Sequence, residues 1–305
     1  LDGALAALEP AVDGLSTAAD EQGAAAKALA ERVGAAHGAA LGTVERGLRD
    51  GTLLRGEVLA RWQEFVGTGE LLRTLEARIG RARDRVIAAL TGRPAPGRNL
   101  QTAIESNLAT LIRAAAADAA EQSYGGWQAH PAGAALLSAE LARPSTDLPE
   151  RAERLVRDWQ RGVLDLVRAE GGDRRFVARS AAYAVNAMGL AVMVAVFAST
   201  AFIPTGLEVA AAGGTTVAAQ KVLEAIFGDQ AIRALAAKAR ADLLARVDKL
   251  LEEEAGRYLG LLTDAAADGS DPGGRLRAAG AAVERARHAA ALTDGAAVTL
   301  PGSVA

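Results

Sequence analysis

The chain has 305 residues, a net charge of −3 and no cysteine. Half of its residues are hydrophobic, and only 4% are aromatic. These values exclude whole-chain disorder, disulfides, thiolate nucleophiles and zinc ribbons, and argue against a surface built as one basic nucleic-acid face. The apolar content rests on Ala, Leu and Val, which favours packed helices over a β-sandwich. The expected fold is all-α, an elongated bundle of long helices carrying an apolar helical hairpin.

Leu1 in place of Met reads as the start of a fragment or processed product, and the first dozen residues lack the basic region of a signal peptide. Residues 3–49 read as one weakly amphipathic helix or a helix pair, with Pro10 starting or kinking it. Leu54, Val58, Trp62 and Phe65 open a stronger helical pattern over 52–91, with a turn or hinge at Gly67-Thr68-Gly69. Residues 92–98, Gly-Arg-Pro-Ala-Pro-Gly-Arg, break it. A helix is expected at 99–122, then a loop from Tyr124 to Pro131 and a short helix stopped by Pro144. Asp147-Leu-Pro-Glu150 has the chemistry of a helix start: an N-cap carboxylate, proline in the first turn and glutamate at N3. That helix should end near Gly171-Gly172.

Ser180 to Leu207 is a run of 28 consecutive residues without a charge. Its part from 181 to 203 would make a helix about 34 Å long, enough to cross a hydrocarbon core of roughly 30 Å. Pro204 breaks the run. A second apolar helix is expected from about Gly206 to Phe227, closed by Gly228, with Asp229 capping the next. Val209 to Gln220 supplies only 12 uncharged residues, too few to span, and Gly213-Gly214 would bend that leg. Arg174, Arg175 and Arg179 precede the run and further basic residues follow it. A bias that keeps positive flanks on one side then favours a shallow or re-entrant hairpin. On this reading Arg174, Arg175, Arg179, Tyr183, Met188, Met193, Phe197, Phe202 and Pro204 contact the membrane, and Gly67, Gly69, Gly213 and Gly214 are hinges. The same run also suits a helix buried on all sides in a bundle core, and the many small residues favour that packing. Helices at 230–263 and 274–292 complete the pattern.

No phosphate loop, HExxH or GxSxG motif occurs, so no catalytic residue, cofactor site or metal site is expected in this chain. His37, His130 and His288 read as surface or loop residues. Asp268 and Asp271 lack the spacing of a calcium loop. Arg73, Arg78, Arg81, Arg83 and Arg85 read as a solvated face, and so does Glu252-Glu253-Glu254.

Two stretches resemble a known family: Leu54-Arg-Gly-Glu-Val-Leu-Ala-Arg-Trp-Gln-Glu-Phe-Val-Gly-Thr-Gly69, and Ala182-Tyr-Ala-Val-Asn-Ala-Met-Gly-Leu190 through Ala219-Gln-Lys-Val-Leu-Glu-Ala-Ile-Phe-Gly-Asp-Gln-Ala231. Together, over roughly 40–265, they resemble the helical region that follows the GTPase domain in actinobacterial dynamin-like GTPases, some of them labelled ABC transporters. The resemblance implies a helical stalk (1–172), a membrane-engaging hairpin (173–228), returning stalk helices (229–292) and a loose tail (293–305). It also implies an upstream domain that binds GTP, membrane lipid as partner, self-association or a paralogous partner, and a place on the cytoplasmic face of the inner membrane. Neither nucleic acid nor a small-molecule substrate is expected. A soluble helical interaction module and a helical pore-forming protein are the alternatives.

Overall fold

A computed structural model describes residues 2–49, 56–67, 96–170, 187–199, 223–224, 226–265 and 272–297. The described residues are all-α, with no strand among them. The helices are α1 (Asp2–Arg49), α2 (Glu57–Gly67), α3 (Pro96–Gln128), α4 (Pro131–Leu136), α5 (Leu148–Glu170), α6 (Ala187–Ser199), α7 (Asp229–Ala265) and α8 (Pro272–Ala297). A short 3-10 turn covers Ala139–Ala142.

Residues 2–49 form one helix rather than a pair, and it continues across Pro10, which therefore neither starts nor ends it. The helix expected at 99–122 runs on to Gln128, through the Tyr-Gly-Gly-Trp segment read as a loop. Its last turn is held by distant partners. The Trp127 indole N–H donates to the Leu29 carbonyl at 3.1 Å, and Arg32 donates to the Gly126 carbonyl at 3.0 Å. The start of α5 lies where expected: the Leu148 amide donates to the Ser145 carbonyl, and the Arg151 amide to the Asp147 carbonyl. Gly228 has φ +88°, the left-handed conformation that ends a helix, and its amide returns to the Glu224 carbonyl. The next helix begins at Asp229, whose carboxylate is bonded by Arg233 one turn on.

The chain divides into two compact units that interleave along the sequence: 1–34, 123–139 and 256–305 form one, and 35–122 and 140–255 the other. In the first, Trp127 stacks edge-on against Tyr258, with ring centroids 5.3 Å apart, and both rings are fully buried. Arg277 of α8 bonds Asp20 of α1 at 2.7 Å. A Cβ on Gly133 would sit 2.6 Å from the Trp127 carbonyl oxygen and 2.8 Å from Leu29. The carbonyl belongs to a helix end and cannot move aside alone. Gly133→Ala should therefore lower stability by about 1–3 kcal/mol, read as a shift of the urea midpoint. An unchanged midpoint would show that α4 yields freely.

The second unit holds the larger core. It draws Val44 and Leu48 from α1, Val58 and Trp62 from α2, Leu100, Leu108 and Ile112 from α3, Val156, Trp159 and Val163 from α5, Leu190 to Ala198 from α6, and Ile232, Leu243 and Val247 from α7. Alanines such as Ala103, Ala115, Ala119, Ala152, Ala236 and Ala239 lie among them. Small side chains let helix axes approach closely, so a core poor in aromatics still closes around an apolar helix.

Candidate functional site

The feature that stands out chemically is α6. Every residue from Leu190 to Ala198 is at most 4% exposed. Nine residues make about two and a half turns, so the helix is buried around its whole circumference. Phe197 meets Trp62 of α2 edge-on, with centroids 6.2 Å apart and planes at 78°. On another side a cavity of about 10 Å³ is lined by Gln101 and Ile104 of α3, Gln160 of α5, and Ala191, Val192 and Ala195. That volume holds no more than about one water. Gln101 and Gln160 satisfy each other there: the Gln160 amide donates to the Gln101 carbonyl at 3.1 Å, and the Gln101 amide to the Gln160 side-chain oxygen at 3.2 Å. The slot fits α6 and leaves no room for a small-molecule ligand.

The C-terminus of α6 meets α7. Arg240 donates through Nε to the Ala198 carbonyl at 2.9 Å. Its Nη2 is buried without a hydrogen-bond partner among the described residues. Burial, and next the positive charge of Arg49, hold the Arg240 guanidinium below the usual arginine range, with Glu45 partly opposing. At the residue just before Arg240, the Trp159 indole donates to the Ala239 carbonyl at 2.8 Å and ties α5 to α7.

A second polar group lies near the far end of α7 within the same unit. Glu254 is 4% exposed. It accepts from the Ser145 amide at 2.9 Å, from the Ser145 hydroxyl and from Arg151 Nη1 at 2.9 Å. Arg151 also reaches Glu253 at 2.9 Å and Asp147 at 3.4 Å. The solvated face expected at Glu252-Glu253-Glu254 is thus correct for the first two residues and wrong for the third. Glu254 continues the inward line of Val247, Leu250 and Leu251 at helical spacing, a signal present in the sequence. His37, expected at the surface, is also buried, at 7% exposure on the inward side of α1. His130 precedes α4 and has its Nδ1 buried without a hydrogen-bond partner among the described residues, while His288 is exposed.

Of the residues read as membrane contacts, Met193 and Phe197 lie inside the core, at 0% and 3% exposure. Met188 belongs to the first turn of α6. Arg174, Arg175, Arg179, Tyr183, Phe202 and Pro204 lie outside the described residues, as do Gly69, Gly213 and Gly214, the arginines from 73 to 85, and Asp268 and Asp271. Gly67 is the last residue of α2. The two legs of the expected hairpin are therefore seen only as α6 and as the helical residues just before Gly228. Among the described residues no helix is long and apolar enough to cross a membrane, and no cluster of His, Asp or Glu has the makings of a metal site.

Comparison of the chain with protein-family models, with curated protein sequences and with solved structures finds no match.

Proposed function

We propose that this chain is a membrane-associating helical module, the stalk-like region of a dynamin-like GTPase, which keeps part of its lipid-seeking segment folded inside its own bundle. The observation that carries the reading is the burial of Leu190 to Ala198 of α6 within a longer uncharged run. A core helix of 13 residues accounts for Ala187–Ser199. It does not account for an uncharged run of 28 residues preceded by three arginines. Such a run suits a segment that exchanges a protein interior for a lipid one. GTP chemistry would belong to the upstream domain that the family resemblance implies, and this chain would supply lipid contact, self-association or pairing with a paralogue at the cytoplasmic face of the inner membrane. A second reading, a soluble helical interaction module with α6 as a permanent core helix, is favoured by the closeness of the slot around that helix.

Deleting the apolar segment would remove core residues, so a point label separates the two readings more cleanly. The chain has no cysteine, and a single Ser199→Cys carries a bimane fluorophore at the end of α6. With vesicles rich in anionic phospholipid, the membrane reading expects the chain to float with the vesicles and the label to be quenched by brominated acyl chains. Less association is expected at high salt, which screens the arginine flank. A chain that stays at the bottom of the gradient, its label unquenched at every lipid ratio, would leave the soluble module.

A further inference from the structure

Among the described residues, the large apolar side chains that stand exposed are Leu8, Leu15, Leu259 and Val283, and all of them belong to the first compact unit. Three lie on α1 and α8, which run antiparallel there. Their seam is tight: a Cβ on Gly280 would lie 3.0 Å from Val12, and one on Gly273 would lie 2.8 Å from the Ser16 carbonyl oxygen. Arg277 bonds Asp20 at 2.7 Å and marks one side of the seam as polar. Helical spacing of about 100° per residue fixes what the other side presents. On α1, Glu9, Asp13 and Asp20 fall on the ion-paired side of Val12 and Ser16, and Leu8 and Leu15 fall on the opposite side. On α8, Arg277 falls on the ion-paired side of Gly273 and Gly280, and Leu276 and Val283 fall opposite. The helix pair therefore has one polar side and one apolar side. On the apolar side Leu8 is level with Val283, and Leu15 with Leu276, because Val12 is level with Gly280 and Ser16 with Gly273.

We infer that the apolar side of the α1 and α8 pair is a dimer surface, and that its occupant is the same side of a second copy of this chain. Two copies stacked about a two-fold axis that runs along the helices make an up-and-down four-helix arrangement, with α1 of one copy lying on α8 of the other. Helix α1 is acidic there, with Glu9, Asp13, Asp20 and Glu21 and no basic residue from 7 to 21. Helix α8 is basic, with Arg275, Arg277, Arg285 and Arg287 against Glu284. Charge thus favours this axis over the one that would lay α1 on α1 and α8 on α8. The same axis preserves height, so across the two copies Leu8 meets Val283 and Leu15 meets Leu276. A face about 27 Å long and two helices wide buries on the order of 1,000 Å² in total, the lower end for a specific interface, which suits a reversible dimer of micromolar affinity. Such a dimer deepens the self-association within the functional reading above, and only its use at a membrane rests on that reading.

Sedimentation equilibrium of the lipid-free chain between about 1 and 300 μM should show a monomer–dimer equilibrium that weakens at high salt. Leu15→Lys with Val283→Lys should raise the dissociation constant about a hundredfold, because it traps charges in the contact. The urea midpoint should stay close to that of the parent, since both side chains are already exposed. The chain has no cysteine, so Leu8→Cys and Val283→Cys each carry a single thiol. Under mild oxidation a mixture of the two variants should form a disulfide between unlike chains, and far less should form in either variant alone. If the lysines lower the midpoint, this cross-link decides by itself. A chain that stays monomeric at every concentration would overturn the inference and leave the face to a different protein. A dimer that tolerates both lysines, or links like chains as readily as unlike ones, would overturn it as well. The vesicle assay keeps the two proposals apart. A lipid-free dimer that never floats with vesicles retains the dimer surface and discards the membrane role, and a monomer that floats does the reverse.

Discussion

Phe197→Ala is expected to lower the free energy of unfolding by about 3–5 kcal/mol in buffer that contains no lipid. The ring is 3% exposed and lies edge-on to Trp62, itself fully buried. Its loss removes apolar contact, leaves a cavity in a core of many small side chains and deletes an aromatic pair worth about 0.5–1.5 kcal/mol beyond area. Urea denaturation followed by circular dichroism measures the change. A double-mutant cycle with Trp62→Leu isolates the ring pair and should return a coupling of about 1 kcal/mol. A loss below about 1 kcal/mol would mean that α6 does not occupy the slot in solution, since a side chain facing lipid or solvent contributes little to stability in lipid-free buffer. The same measurement therefore bears on the function, because it reports whether α6 is held in the core when no lipid is present.

The elements written in local chemistry were legible in the sequence. Gly228 ends one helix and the next begins at Asp229, and Asp147 directly precedes α5, because caps and turns depend on residues a few positions apart. The all-α class follows from the alanine- and leucine-rich composition. The errors fall where a distant partner decides. Tyr124-Gly-Gly-Trp127 has the composition of a loop, yet it stays helical because Trp127 finds a carbonyl 98 residues away at Leu29. Glu254 sits in a triplet that looks solvated, yet its neighbour in space is Ser145, 109 residues earlier. The uncharged run fits a lipid interior and a protein interior equally well by hydropathy alone. The decisive quantity for α6 is the set of side chains around it, contributed by α2, α3, α5 and α7 from across the chain.

Glu254→Ala should destabilise the second unit by about 3 kcal/mol. The carboxylate is 4% exposed, and three donors from Ser145 and Arg151 converge on it. Removing it leaves the Ser145 amide without its acceptor and Arg151, whose side chain is 21% exposed, without its buried partner. The remaining pair of Arg151 with Glu253 replaces little of this, because Glu253 is half exposed and its attraction is screened by solvent. Glu254→Gln should cost less than Glu254→Ala, since an amide oxygen still accepts from Ser145 and Arg151 loses only its buried counter-charge, keeping the exposed Glu253 and Asp147. Replacing both partners, Glu254→Leu with Arg151→Met, should recover part of the loss, because the stranded charge is then gone and apolar atoms fill the space. Urea midpoints of the three variants order these costs. If Glu254→Ala shifted the midpoint by less than the equivalent of about 0.5 kcal/mol, the carboxylate would be behaving as a solvated surface group, and the tie between the 145–147 turn and α7 would not exist in solution. If the double variant fell below Glu254→Ala, the cluster would be contributing more than the relief of a buried charge, as a polar network that positions the first turn of α5 against α7.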